Sequence, residues 1–161
     1  MPILHTQLIA QGQTPDGKAI SISPQIALMQ RGPIVQVTIG IEENIAQQLL
    51  TQGTPLPQPV PGVALIDTGA TSTCIDEAIA QQLNLPVIDV VSIASASHAA
   101  SKQNVYPALI EVVGIPIKFN ALRAIGVPLA SQEIQVLIGR DLLQFCTLFY
   151  NGLIGSFTLS I

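Results

Sequence analysis

An apolar strand that ends on an acid constrains the fold of this chain more than any other feature: Val63-Ala64-Leu65-Ile66 runs directly into Asp67-Thr68-Gly69-Ala70. Four apolar residues in succession read as a short strand in the core. Desolvating a carboxylate at its end is costly and calls for a reason, and Gly69 lets a backbone or a ligand approach closely. Much later a second apolar strand, Val136-Leu137-Ile138, also stops at a glycine, Gly139, and continues into Arg140-Asp141-Leu142-Leu143. Taken alone, Asp67 reads equally well as a cap for its own turn or for the helix that follows.

Composition narrows the classes. The 161 residues suffice for one domain with its own core. Apolar residues make up 48% and charged residues 10%, which excludes a disordered chain. A net charge of -4 and a pI near 4.9 leave no positive field for a phosphate backbone or an anionic bilayer, so neither nucleic acid nor membrane is expected as a partner. The mean hydropathy of +0.53 is high, yet no window reaches the roughly 18 unbroken apolar residues of a spanning helix. The first residues, MPILHTQLIAQGQTPDGK, lack a basic segment and a long apolar core, and a cytoplasmic protein is expected. Cys74 and Cys146 are too few for a disulfide framework and read as buried reduced thiols. So apolar a chain must hide surface, and a second copy is the commonest symmetric cover.

Periodicity orders the rest. Residues 1–32, around the turn Thr14-Pro15-Asp16-Gly17, read as a loosely attached arm or hairpin that maturation could remove, ahead of a domain over 33–161. Val35, Val37, Ile39 and Ile41 alternate as in a half-buried strand, and Ile41, Ile45 and Leu49 recur at helical spacing. Residues 51–62, with four prolines, predict a surface loop. Asp76 caps a helix with Ile79 and Leu83 inward. Residues 87–119 predict a hairpin with a mobile tip over 95–104, and 121–125 and 136–139 predict strands. The run 140–149 predicts a short helix, and Phe157, Leu159 and Ile161 alternate inward in an edge or interface strand. The fold class is mainly β with two or three short helices. Glu42, Glu43, Glu77 and His5 read as solvated.

The segments LIDTGA over 65–70 and LIGRDLL over 137–143, in that order, resemble the retropepsin-like aspartic proteases over about residues 33–161. That resemblance implies a closed β-barrel and a homodimer. It makes Asp67 the catalytic acid, with Thr68 hydrogen-bonded across the dimer and Gly69 and Ala70 along the substrate backbone. Leu137, Ile138, Gly139 and Arg140 form the loop behind the acid, Ile138 serving either the cleft or the core. A flap is implied within 93–104, at Ile93, Ala94, Ser95, Ala96, Ser97 and His98, the histidine reading as solvated. Where family members carry an acid to pair with Arg140, this chain has Thr71, Ser72 and Thr73, so Arg140 is either solvated or paired elsewhere, with Asp76 and Asp141 the nearby acids. Phosphoribosyltransferases also run a strand into D-T-G-A-T, but need two adjacent acids where this chain has Val63 to Ile66.

Hydrolysis of a peptide bond by carboxyls takes two of them sharing a proton. This chain has one D-T-G, so the second must come from another copy. The reading is therefore a homodimeric aspartic endopeptidase acting on a peptide or protein substrate, with no cofactor and no metal. A peptide-binding or dimerisation module that keeps the fold without turnover is the alternative.

Overall fold

Short alternating runs dictate the order of elements in the structure, a computed structural model that describes residues 1–95 and 98–161, and the side chains of all but 94–100. The first 41 residues give β1 (Ile3–Gln7), β2 (Ala10–Gln13), β3 (Ala19–Ile22), α1 (Pro24–Arg31) and β4 (Ile34–Ile41). After α2 (Glu43–Thr51) come β5 (Val60–Ile66), β6 (Cys74–Asp76) and α3 (Glu77–Gln82). The hairpin region follows as β7 (Asp89–Ser95), β8 (His98–Val112) and β9 (Lys118–Val127). The chain closes with β10 (Val136–Ile138), α4 (Arg140–Leu143), β11 (Thr147–Asn151) and β12 (Ser156–Ser160).

Strands β4, β5, β10, β6, β9 and β8 pair in that order, and β4 pairs back onto β8, so six strands close into a barrel with β7 on the outer side of β8. Closure removes the exposed edges that an open sheet of this apolarity would present. The inward residues of every barrel strand, among them Val37, Ile39, Ala64, Ile66, Ile75, Ile110, Val136 and Ile138, are buried in one core. Pro61 is accommodated within β5 because β10 pairs with that strand only from Ala64 to Ile66, leaving Pro61 beside Thr38 of β4.

A second sheet, in the order β1-β12-β11, brings the two ends of the chain together. The final run is thus the middle strand of a sheet, not an edge. Phe157 and Leu159 are fully buried there, whereas Ile161 lies outside β12 and is exposed. The amino-terminal segment contains the expected turn, between β2 and β3, but it is not loose: β1 pairs with β12 along five rungs, and Ala27 and Leu28 of α1 are buried in the common core. Ser23 caps α1, Pro24 opens it, and Gly32 ends it at a φ of 70°.

Two further expectations change. The helix read over 140–149 stops at Leu143, and Thr147 onward turns into β11, because pairing with β12 outweighs helical spacing in a run this short. The α-helices are few and short, four of them among the described residues. The stretch expected as a mobile tip carries strand pairing, with Val90 opposite Asn104 and Ile93 opposite Ser101. No helix among the described residues is long and apolar enough to cross a membrane.

Candidate active site

Parallel pairing of β5 and β10 brings the two sequence motifs together. Ala64, Leu65 and Ile66 lie beside Val136, Leu137 and Ile138, so both strands end at the same level and Asp67 emerges next to Gly139. The Asp67 N–H donates to the Ile138 carbonyl at 3.0 Å, which carries the pairing one residue past the strands. Beyond that point the chain turns: Asp67 Oδ1 accepts from the N–H groups of Gly69 at 2.8 Å and Ala70 at 3.3 Å, and the Ala70 N–H also reaches the Asp67 carbonyl. This orients the Asp67 carboxylate from its own loop. Asp67 is half-buried, with Thr68 and Gly69 exposed beside it on an open rim.

The loop behind is locked by close backbone approach. A Cβ on Gly139 would stand 2.5 Å from the Ser72 carbonyl carbon and 2.8 Å from the Thr73 nitrogen, so only glycine fits there. Arg140 N–H donates to the Ala70 carbonyl and Asp141 N–H to the Thr71 carbonyl, zipping the two loops together. Thr73, fully buried, accepts from the Gly139 N–H at 3.1 Å and donates through Oγ1 to Asp141 Oδ1 at 2.8 Å. Its own N–H donates to Asp141 Oδ2 at 2.9 Å. Thr73 and Asp141 were not anticipated in this role; a threonine seven residues after the strand and an aspartate after Gly139-Arg140 gave no separate signal.

Other expected residues find their places. The Arg140 guanidinium is exposed and donates to Thr71 Oγ1 at 2.9 Å. Neither nearby acid pairs with it. Asp141 holds Thr73, while Asp76 caps α3 through Ala78 N–H and accepts from Leu129 and Ala130 N–H. Ile138 is fully buried in the barrel core, which resolves its two readings toward packing; the half-buried neighbour Leu137 lies beside Leu65 on the opposite face. Burial, then the charges of Asp141 and Asp67, push the Cys74 thiol up to about 11, so it remains protonated. Cys74 and Cys146 are free and half-buried, not fully buried.

One recess is lined by the acid and another by the loops behind it. The first, of about 380 Å³, is lined by Gly32, Pro33, Leu65, Ile66, Asp67, Thr68, Leu148 and Tyr150, so β11 forms one wall beside Asp67 and Thr68. Leu148 went unnoticed in the sequence because it fell inside the predicted helix, and Tyr150 because it stands just past its end. The other, of about 260 Å³, is lined by Ser72 and Asp141 together with Val91 of β7, Val105 of β8, and Arg123 and Ile125 of β9, so the hairpin expected as the flap borders the loops at Ser72 and Asp141. Ile93 pairs with Ser101 in that hairpin. Of the flap residues expected, Ala96 and Ser97 lie outside the described residues, as do the side chains of Ala94, Ser95 and His98.

Glu42 and Glu77 are not solvated as their positions in the sequence imply. Glu42 is 3% exposed and accepts from Asn44, Asn120 and the Ile45 N–H. Burial raises its carboxyl, but those hydrogen bonds outweigh burial and hold it below the ordinary glutamate value. Glu77 is bound to Tyr106 and Asn104. His5 is exposed, with Nδ1 2.8 Å from Thr158 Oγ1.

Comparison with known proteins gives three findings. A search of curated proteins finds no match. The crystal structure of a retropepsin-like aspartic protease from Rickettsia conorii is matched over 98% of this chain and 92% of that one, at 14% identity and a TM-score of 0.40. The model of the family described as "gag-polyprotein putative aspartyl protease" matches residues 58–144, more than half of the chain, with both motifs and the loops that join them inside the match. The chain belongs to this retropepsin-like aspartyl protease family.

Proposed function

We propose that the protein is an aspartic endopeptidase whose dyad is Asp67 and the Asp67 of a second copy. The observation that carries this reading is the acid itself: a carboxylate at the end of a buried strand, fixed by its own loop and half-exposed on an open rim, with one such motif per chain. Across a two-fold axis the two carboxyls share one proton, because like charges so close cannot both ionise. The charged one takes a proton from water as the water oxygen bonds to the peptide carbonyl carbon, and the neutral one gives its proton to the carbonyl oxygen. Collapse of the tetrahedral intermediate breaks the C–N bond, and the amine leaves with a proton returned from the dyad.

Thr68, on the rim, is assigned a hydrogen bond to the partner copy, and Gly69 and Ala70 the substrate backbone. Leu137, Gly139 and Arg140 support the loop from behind. The β7–β8 hairpin, Ile93 to His98 included, is the flap over an extended peptide. The edge of β11 supports the dimer: it is a free strand edge, Phe149 on it is 62% exposed, and its Leu148 and Tyr150 share a recess with Asp67 and Thr68. Residues 33–161 are the protease domain and 1–32 an extension, and removing the extension bares the partners of Leu28 in the core. Two free thiols fit a reducing compartment, the cytoplasm.

The test is cleavage of a mixed peptide library by the wild type and by Asp67→Asn, with and without a transition-state-mimicking inhibitor. Cleavage by the wild type, blocked by the inhibitor and absent from the variant, is expected. Peptide binding without turnover in the wild type makes the protein a binding module instead.

A further inference from the structure

The β7–β8 hairpin leaves the barrel at a definite rung. Strand β8 pairs with β9 from Val105 opposite Ile125 inward, while Asn104, Gln103, Lys102 and Ser101, nearer the tip, pair with β7. The pairing with β9 shifts register between Tyr106 and Ala108, around Pro107, so the root of the hairpin is irregular as well as terminal.

At that root stands a half-buried acid. Glu77, first residue of α3, accepts at Oε1 from Tyr106 Oη at 2.6 Å and from Asn104 Nδ2 at 3.2 Å, two residues that flank the last rung. Asn104 Nδ2 also reaches Tyr106 Oη at 3.2 Å. Among the described residues, buried Glu77 Oε2 has no hydrogen-bond partner, and it lies against Gly126 of β9, where any side chain would collide with it. Burial, then the Glu77 carboxylate, push the Tyr106 phenol up, so it remains a donor. A carboxyl oxygen left bare inside the fold costs stability. What it joins is specific: α3, which follows the catalytic loop through β6, and the strand that carries the flap.

We propose that Glu77 is a positioning residue, which through Tyr106 and Asn104 holds the root of the β7–β8 hairpin and sets its approach to the strand ends that bear Asp67. The proposal rests on the reading of that hairpin as the flap of an aspartic protease.

Amide hydrogen exchange on the full chain tests the brace without using catalysis. Glu77→Ala and Tyr106→Phe are each expected to speed exchange in the outer hairpin, over 90–93 and 101–104, by about tenfold, the size of one hydrogen bond to a carboxylate, and to leave Val136 and Ile138 unchanged. The double variant is expected to match the single ones, and Glu77→Gln, which keeps the Oε1 acceptor, to restore protection. In peptide cleavage the two disruptive variants are expected to raise KM several-fold with kcat nearly constant. Uniform acceleration through hairpin and barrel, additive effects, or faster hairpin exchange with KM unchanged would each overturn the positioning role. A wild type that cleaves nothing defeats the protease reading instead, while the exchange pattern still decides whether the brace exists.

Discussion

Thr73 uses its hydroxyl twice, accepting from Gly139 N–H and donating to Asp141, and it does so with no exposure to solvent. Thr73→Val keeps the shape but strands the Gly139 N–H, while Asp141 Oδ1 keeps only the Leu142 N–H. Urea unfolding should show a loss of about 2 kcal/mol, the cost of an unsatisfied buried donor. Cleavage should fall further than the folded fraction does, because the same loop carries Asp67; an unchanged stability would contradict the geometry. Glu42 gives a second residue-scale prediction. Its carboxyl is held below the ordinary value in the fold, so its contribution to stability is present above the unfolded-state value and is lost as pH falls through the folded one. Glu42→Gln should therefore lower stability at neutral pH and flatten its decline on the acid side of pH 4.5, the ordinary value, as read by thermal melts across pH. Equal acid slopes in both proteins would contradict this. Glu42 and Glu77 eluded the sequence reading because each has, beside local partners, one that is remote along the chain, Asn120 and Tyr106, about which local pattern holds no information.

At the level of elements, β11 is where two readings compete. Its exposed Phe149 and free edge fit a seam between copies, and a charge there should prevent strand pairing. Phe149→Glu is expected to be monomeric by sedimentation at concentrations where the wild type is dimeric, with its thermal transition little changed and its cleavage lost. A dimer that persists, fully active, places the seam elsewhere. This strand was hidden in the sequence, since Leu142, Leu143, Phe145 and Cys146 continue a helical spacing that only pairing with β12 overrides. By contrast β4 and β10 were legible, because alternation in one and an unbroken apolar run in the other leave few alternatives to a strand. Helix α1 had its signals, Ser23 before Pro24 and Gly32 at the end, but they stand in a segment too short in apolar period to betray a core element.

For the whole molecule, the parallel pairing of β5 with β10 and the closure of the barrel put one acid on one rim, and the proposed activity depends on whether that rim meets another. The barrel needs no second copy to bury its core; the proposed chemistry does. The most direct measurement refolds wild-type and Asp67→Asn chains together in varying proportion at constant total protein and records peptide cleavage. If two chains share one dyad, activity follows the square of the wild-type fraction and drops to about one quarter at equal proportions. A linear decline, to about one half at that point, would mean that each chain cuts alone and that Asp67 has no partner across the dimer.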